Sequence, residues 1–389
     1  MKRLFYLIIV LLAATSSSAQ QLIKPAQPSI KSVGRIDKSN PDRYRFDSPG
    51  VYFAMKFSGS TSISARLKGS PQTYFQAFIN GQPVMANDGK QAIYTSIGDT
   101  TIILSNRLSK NKEYEVLLFK RTENLDNKPA EFMGFLVDNK ATIFDAATLY
   151  KPRKMEFIGN SITCAFGTES KNKNSKFEAR TENNYLSYAL VLARAFDADV
   201  QVTARSGHGV VRNYNDKSKM SAQETTVPKI FERTFDSDKQ SIWDFSYKPD
   251  VVVINLGTND YSTLPHPDKA VFIDTYLKFI ARIRALYGTQ IPVFCVVGPM
   301  IDEPCYSIVK EMVEIQRTLH KDTKTYFIGI PTAALDLAKD FGAATHPGGD
   351  GQKKMAQIVA PVISSVTGWS YNRTEMDDIK GSQDFYSRE

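Results

Sequence analysis

Residues 251–260 read Val251-Val252-Val253-Ile254-Asn255-Leu256-Gly257-Thr258-Asn259-Asp260. From Val251 to Leu256 the run is almost wholly apolar, and then turn residues begin. A strand with one wet face alternates apolar and polar side chains. A continuous apolar strand is covered on both faces, as in a parallel sheet with helices above and below.

The surroundings repeat this pattern. Met155 to Ile158 is a short buried strand ending in Gly159, and Val200 to Ala204, Ile291 to Val297 and Tyr326 to Ile330 supply more. Between them, Tyr185, Tyr188, Ala189, Leu192, Ala195 and Phe196 share one helical face. Phe272, Ile273, Tyr276, Leu277, Ile280 and Ile283 mark another helix. Two further helices are predicted from about Tyr306 to His320 and from about Gln352 to Ser365. Strand and helix alternating over residues 151–369 predict an α/β domain, a parallel sheet with helices on both faces. Residues 370–389 form a polar tail, expected to fray.

Residues 20–150 have a different rhythm. Ile63, Ala65 and Leu67 alternate with Ser62, Ser64 and Arg66, the period of a half-buried strand. Tyr74 to Ile79 runs into Asn80-Gly81, a strong hairpin signal. Further strands are predicted over Val51–Phe57, Thr101–Leu104, Tyr114–Lys120 and Phe132–Val137. Short strands, frequent turns and no long helix predict a β-sandwich.

A length of 389 residues suits two such domains. Residues 1–19 form a signal peptide: Lys2 and Arg3, an apolar run from Leu4 to Ala14 too short to span a bilayer, then small residues before Gln20. No other stretch is long enough to cross a membrane, so the expected location is periplasmic or secreted. The formal charge of +8 is spread among acids with no basic arm, and reads as a solvated face rather than a nucleic-acid surface. Cys164, Cys295 and Cys305 make no disulfide framework and have no metal-ligand spacing. Cys295 reads as a core residue, and its pairing with Cys305 is open.

In a parallel α/β sheet, ligands bind beyond the carboxyl ends of the strands. The first strand ends in Gly159-Asn160-Ser161-Ile162-Thr163, a turn that either exposes the Ser161 hydroxyl or makes it a helix cap. The second runs into Ser206-Gly207-His208-Gly209, where glycines let backbone amides approach a ligand. The third runs into Gly257-Thr258-Asn259-Asp260, whose Asn259 amide can donate to a developing oxyanion. A serine nucleophile needs a base beside it. Of His208, His266, His320 and His346, the last lies on a loop after the final strand, where it can reach back over the sheet.

In that order the four segments, GNSIT, SGHG, GTND and His346-Pro347, resemble blocks I, II, III and V of the SGNH (or GDSL) hydrolase superfamily, over about residues 153–366. A closer resemblance spans almost the whole chain. Gly34-Arg35, residues 119–123 (FKRTE), Gly134-Phe135, Thr181-Glu182-Asn183, residues 206–214 (SGHGVVRNY) and Gly298-Pro299-Met300 look like carbohydrate esterase family two. That family joins a jelly-roll sandwich to a flavodoxin-like SGNH domain. The resemblance implies removal of acetyl groups from polysaccharides such as xylan or glucomannan, with no metal or cofactor. It implies Ser161 as nucleophile, His346 as base, and an oxyanion hole of the Ser161 N–H, Gly207 and Asn259, with Gly209 as the alternative to Gly207.

Three positions depart from the pattern. Asn160 stands where an Asp is usual. Ala343 and Ala344 stand where an Asp before the histidine is usual, so the orienter of His346 is expected to be a backbone carbonyl or a more distant acid such as Asp340. Thr345 replaces a usual aromatic, leaving Tyr214 and Tyr261 as candidates to stack on sugar. Two other readings compete: an SGNH esterase acting on another acyl ester or an envelope glycan, and a non-catalytic carbohydrate-binding protein.

Overall fold

The computed structural model describes residues 19–377. The predicted signal peptide lies, but for its last residue, outside the described residues, as does the tail from 378.

Five strands form the parallel sheet: Arg153–Gly159, Ala198–Ala204, Val251–Asn255, Val293–Val297 and Thr325–Gly329. Their spatial order is second, first, third, fourth, fifth. Met155, Phe157, Val251 and Val253 face one way, against the helices Tyr188–Ala195 and Gly349–Thr367. Ile158, Val252, Ile254 and Val293 face the other, against Lys269–Tyr287 and Cys305–Thr318. Each fully buried Val or Ile contributes about 1.5–3 kcal/mol relative to exposure, so both faces of Val251–Ile254 demand apolar residues. The first strand pairs with the second and the third, placing Gly159 level with Ala204 and with Asn255. Three loops therefore leave the sheet side by side.

Ahead of it stands an antiparallel β-sandwich. One sheet runs Gln20–Ile23, Ala130–Asp138, Ile63–Gly69, Gly98–Ser105. The other is built on Tyr52–Ser58, Glu113–Lys120 and Tyr74–Ile79. Ile63, Ala65 and Leu67 are buried between them, and Phe53 stacks on Phe132 across the gap at 4.0 Å. Asn80 and Gly81 take φ of 52° and 74°, the left-handed pair that a two-residue hairpin requires.

Three expectations need correcting or completing. The tail does not fray from residue 370: Asn372 N–H donates to Ala195 O at 2.8 Å, Arg194 pairs with Glu375 at 2.9 Å, and Met376 is buried. One apolar side chain in a polar stretch docks it. The basic residues are not all a solvated face: Lys31, Arg35, Lys120 and Arg121 of the sandwich are buried, three of them against the α/β domain. Lys31 pairs with Asp199 at 2.5 Å and Arg35 with Glu156 at 3.2 Å. Arg35 also donates to the carbonyls of Phe231 and Arg233 at 2.5 and 2.8 Å. A guanidinium, with donors on several nitrogens, can serve a carboxylate and two carbonyls at once. The three cysteines are free and buried, and Cys305 packs beneath Gly257, where an added Cβ would come 2.6 Å from its Sγ. Among the described residues no helix is long and apolar enough to cross a membrane.

Removing one partner of a buried ion pair leaves the other uncompensated. Arg35→Ala is expected to lower the free energy of unfolding by about 3–5 kcal/mol, read as a lower urea midpoint at unchanged slope.

Candidate active site

Ser161 opens the short helix Ser161–Cys164 directly beyond the first strand. The helix is capped by Asn160, whose side chain accepts from Ile162 N at 3.1 Å. Asn160 thus does what an Asp would do at this N-cap without the charge, and the Ser161 hydroxyl is left unspent. Ser161 is 7% exposed.

Its Oγ lies 2.8 Å from Nε2 of His346. Residues 185 apart in sequence meet because the last loop folds back over the sheet. Nδ1 of His346 lies 3.1 Å from Ala344 O and 3.3 Å from Ala343 O. A carbonyl only accepts, so Nδ1 carries the proton and Nε2 offers its lone pair to the serine hydroxyl. Asp340 is not the orienter: its carboxylate binds Lys354 and the Asp336 N–H, both at 2.5 Å. Burial of the ring pushes the His346 pKa down to about 4, against the two carbonyls that favour the charged form.

The carbonyls point at the ring because the backbone is bent to aim them. Ala344 and Thr345 have φ of 49° and 61°, a left-handed conformation that costs about 1–2 kcal/mol per non-glycine residue. Hydrogen bonds from outside offset it: Ala343 N–H to Gly167 O (3.2 Å), Ala344 N–H to Ser175 O (3.1 Å) and Thr345 N–H to Lys173 O (3.1 Å). The acceptors belong to the loop that follows Ser161, so one loop holds both partners.

The second and third strands bring up the rest. Gly207 has φ of 79°, open only to glycine at low cost, and its carbonyl accepts from Tyr214 N at 2.8 Å. Asn259 donates one amide hydrogen to His208 O at 2.8 Å and keeps a second. Gly209 is a poorer donor than Gly207, because its N–H is spent on Asn213 at 3.1 Å. His208 itself binds Thr225 O through Nδ1. Tyr214 is 58% exposed beside the Gly207 turn, whereas Tyr261 is 4% exposed, edge-on to Phe272 and His266. The helical turn Thr258–Tyr261 rotates Tyr261 by about 200° from Asn259, into the core and away from any sugar.

Two contributors escaped the sequence reading. Asp260 clamps the second loop, accepting the N–H groups of Val210, Val211 and Arg212 at 3.0, 2.7 and 2.9 Å. Three amides in a row on a buried carboxylate are a tertiary fact, although its place after a strand-end Asn was a clue. Phe166 lies against His346 at 4.5 Å and stacks on Phe177 at 3.9 Å, putting an aromatic wall where Thr345 has none. Among the described residues, one trio offers ligand atoms close enough for a metal ion, Glu123, Cys164 and Glu182, all buried; burial pushes the Cys164 thiol well up.

A sandwich ahead of a parallel sheet, with a serine and a histidine paired at its strand ends, defines a two-domain hydrolase of the GDSL type. The family models agree: "Carbohydrate esterase 2 N-terminal" matches residues 32–146, and "GDSL-like Lipase/Acylhydrolase family" matches 157–354. A family two carbohydrate esterase from Clostridium thermocellum, solved with cellohexaose, is 31% identical, with a TM-score of 0.78 over 87% of this chain and 99% of its own. The chain belongs to carbohydrate esterase family two. It is 33% identical over 351 residues to a cellulase/esterase, CelE, of Acetivibrio thermocellus, covering 88% of this chain and spanning only 40% of that relative. It is 29% identical over 259 residues to an acetylxylan esterase/glucomannan deacetylase of Cellvibrio japonicus, covering 64% of this chain and 67% of the relative.

The His346 ring is expected to titrate well below an ordinary histidine, near 4, with its proton on Nδ1 above that; nitrogen NMR of labelled protein reads both. The unfolded chain binds this proton near 6.5, so His346 contributes a loss of stability as pH falls from there toward 4.

Proposed function

We propose that the protein is an exported esterase that removes O-acetyl groups from polysaccharides such as acetylated xylan or glucomannan. One observation carries the chemistry: the Ser161 hydroxyl donates to a histidine whose tautomer is already set for taking its proton. The family and the names of its relatives support the substrate class. Export rests on the sequence pattern of residues 1–19.

Ser161 Oγ attacks the acetyl carbonyl carbon as His346 Nε2 takes the hydroxyl proton. The tetrahedral oxyanion is held by the Ser161 and Gly207 N–H groups and the spare amide hydrogen of Asn259. Each such donor is worth about 10²–10³ in rate. The C–O bond to the sugar breaks as His346 returns the proton to the sugar oxygen. Water, deprotonated by His346, then attacks the acetyl-serine, releasing acetate and restoring Ser161.

In a serine protease, changing the Asp of the triad costs about 10⁴ because the histidine takes the wrong tautomer. Here the Ala343 and Ala344 carbonyls hold the right tautomer and stabilise the imidazolium by their dipoles. This removes the main support for a non-catalytic sugar binder.

Ser161→Ala is expected to lower acetate release from acetylated xylan by about 10⁴-fold or more. Activity near that of the unmodified enzyme would remove the assignment. Tyr214, exposed beside the Gly207 turn, is expected to stack on sugar, so Tyr214→Ala should raise KM for polysaccharide several-fold with kcat on a small acetyl ester unchanged.

A further inference from the structure

The turn that carries Gly207 is not held by its own domain alone. Ser206 N–H donates to Glu123 Oε2 at 2.8 Å. Glu123 belongs to the sandwich, just past the strand Glu113–Lys120. It is itself fixed: its N–H donates to Glu182 Oε1 at 2.6 Å, its carbonyl accepts from Lys120 Nζ at 3.3 Å, and Arg205 Nε faces its carboxylate at 3.7 Å.

Glu123 Oε1 and Glu182 Oε2 are buried with no donor. One oxygen of each lies within 4.8 Å of the other. Burial and the neighbouring Glu123 hold Glu182 well above the usual carboxylate range, and burial raises the Glu123 carboxyl as well. The other Glu123 oxygen accepts from Ser206.

A glycine with a left-handed φ has many conformations to choose from. An oxyanion donor, however, acts only when it is aimed in advance. The Gly207 N–H lies between two anchors, the Ser206 N–H on Glu123 and the Gly207 carbonyl on Tyr214 N. A hydrogen bond to a carboxylate is roughly twice as strong as a neutral one, and this one crosses the domain boundary.

We propose that Glu123, supplied by the sandwich, is a positioning residue for the oxyanion hole: its carboxylate grips the Ser206 N–H and thereby aims the N–H of Gly207 at the acyl oxygen. This rests on the esterase reading above, with Gly207 as an oxyanion donor. It gives the sandwich a part in the chemistry besides any contact with polysaccharide.

The test is steady-state kinetics of acetate release from acetylated xylan, with thermal unfolding run beside it. Glu123→Ala is expected to lower kcat by about 10–100-fold, part of what a whole donor is worth, with KM within about threefold. Glu123→Asp keeps the carboxyl group but withdraws it by one methylene, and lowers kcat in the same sense. Glu123→Gln restores kcat to within about threefold of the unmodified enzyme, because its amide oxygen still accepts from the Ser206 N–H at full side-chain length. If Glu123→Ala does not fold, the Asp and Gln pair decides. A folded Ala or Asp variant with full kcat, a loss carried by KM alone, or a Gln variant as impaired as Asp overturns the proposal. Ser161→Ala separates the two levels. If it is inactive while the Glu123 variants keep full kcat, only the positioning role falls; if it stays active, the esterase reading falls with it.

Discussion

The carbonyl oxygen of Ala344, 3.1 Å from Nδ1 of His346, is the contact on which the site depends. It decides which ring nitrogen carries the proton, and so whether Nε2 faces Ser161 as an acceptor or as a donor. A carboxylate would do the same and add a full charge. The carbonyl does it with a dipole, and only because Ala344 and Thr345 are held in a conformation that neither residue favours. The strain is offset in the loop after Ser161, through Gly167, Lys173 and Ser175. The Ser161 hydroxyl, the His346 ring and the carbonyls that orient it therefore form one mechanical unit.

That unit sits on a sheet whose strand order places it. The first strand is flanked by the second and third. The serine turn, the Gly207 turn and the Asn259 turn consequently leave neighbouring strand ends, the position where open α/β sheets bind ligands. Asp260 ties the second loop to the third through three backbone amides. The two glycines of the SGHG segment divide the work. Gly207 has the left-handed turn, whereas Gly209 is needed for space, since an added Cβ would come 2.1 Å from Arg212 O.

The joint between the halves is unusual in being charged and buried. Lys31, Arg35 and Arg121 reach from the sandwich into the α/β domain, where Asp199, Glu156 and Glu169 answer them and the Glu182 carbonyl also accepts from Arg121. Breaking one partner of such a pair costs far more than its net contribution to stability. The geometry between the halves is thereby made specific. The segments FKRTE and Thr181-Glu182-Asn183 interleave at this joint, Arg121 binding Glu169 and the Glu182 carbonyl, and Asn183 binding Glu169 at 2.6 Å.

Much of this was legible in the chain. The apolar run Val251–Leu256, the alternation at Ile63–Leu67 and the Asn80-Gly81 turn follow from local rules: two-sided burial, one-sided burial, and a left-handed pair. The order of Ser161, Gly207, Asn259 and His346 along the chain pointed to the four loops that carry the site. For the orienter of His346 the chain left two alternatives, a backbone carbonyl or a distant acid such as Asp340; the choice depends on φ at Ala344 and Thr345, which only the neighbouring loop imposes. Tyr261 was misread for a related reason, since a single helical turn decides whether its ring meets solvent or Phe272. Phe166, Asp260 and Glu123 act through partners dozens to more than a hundred residues away. Periodicity along one chain reports which faces are buried, but not which two buried faces meet; that is settled when the sheet order and the domain joint bring them together.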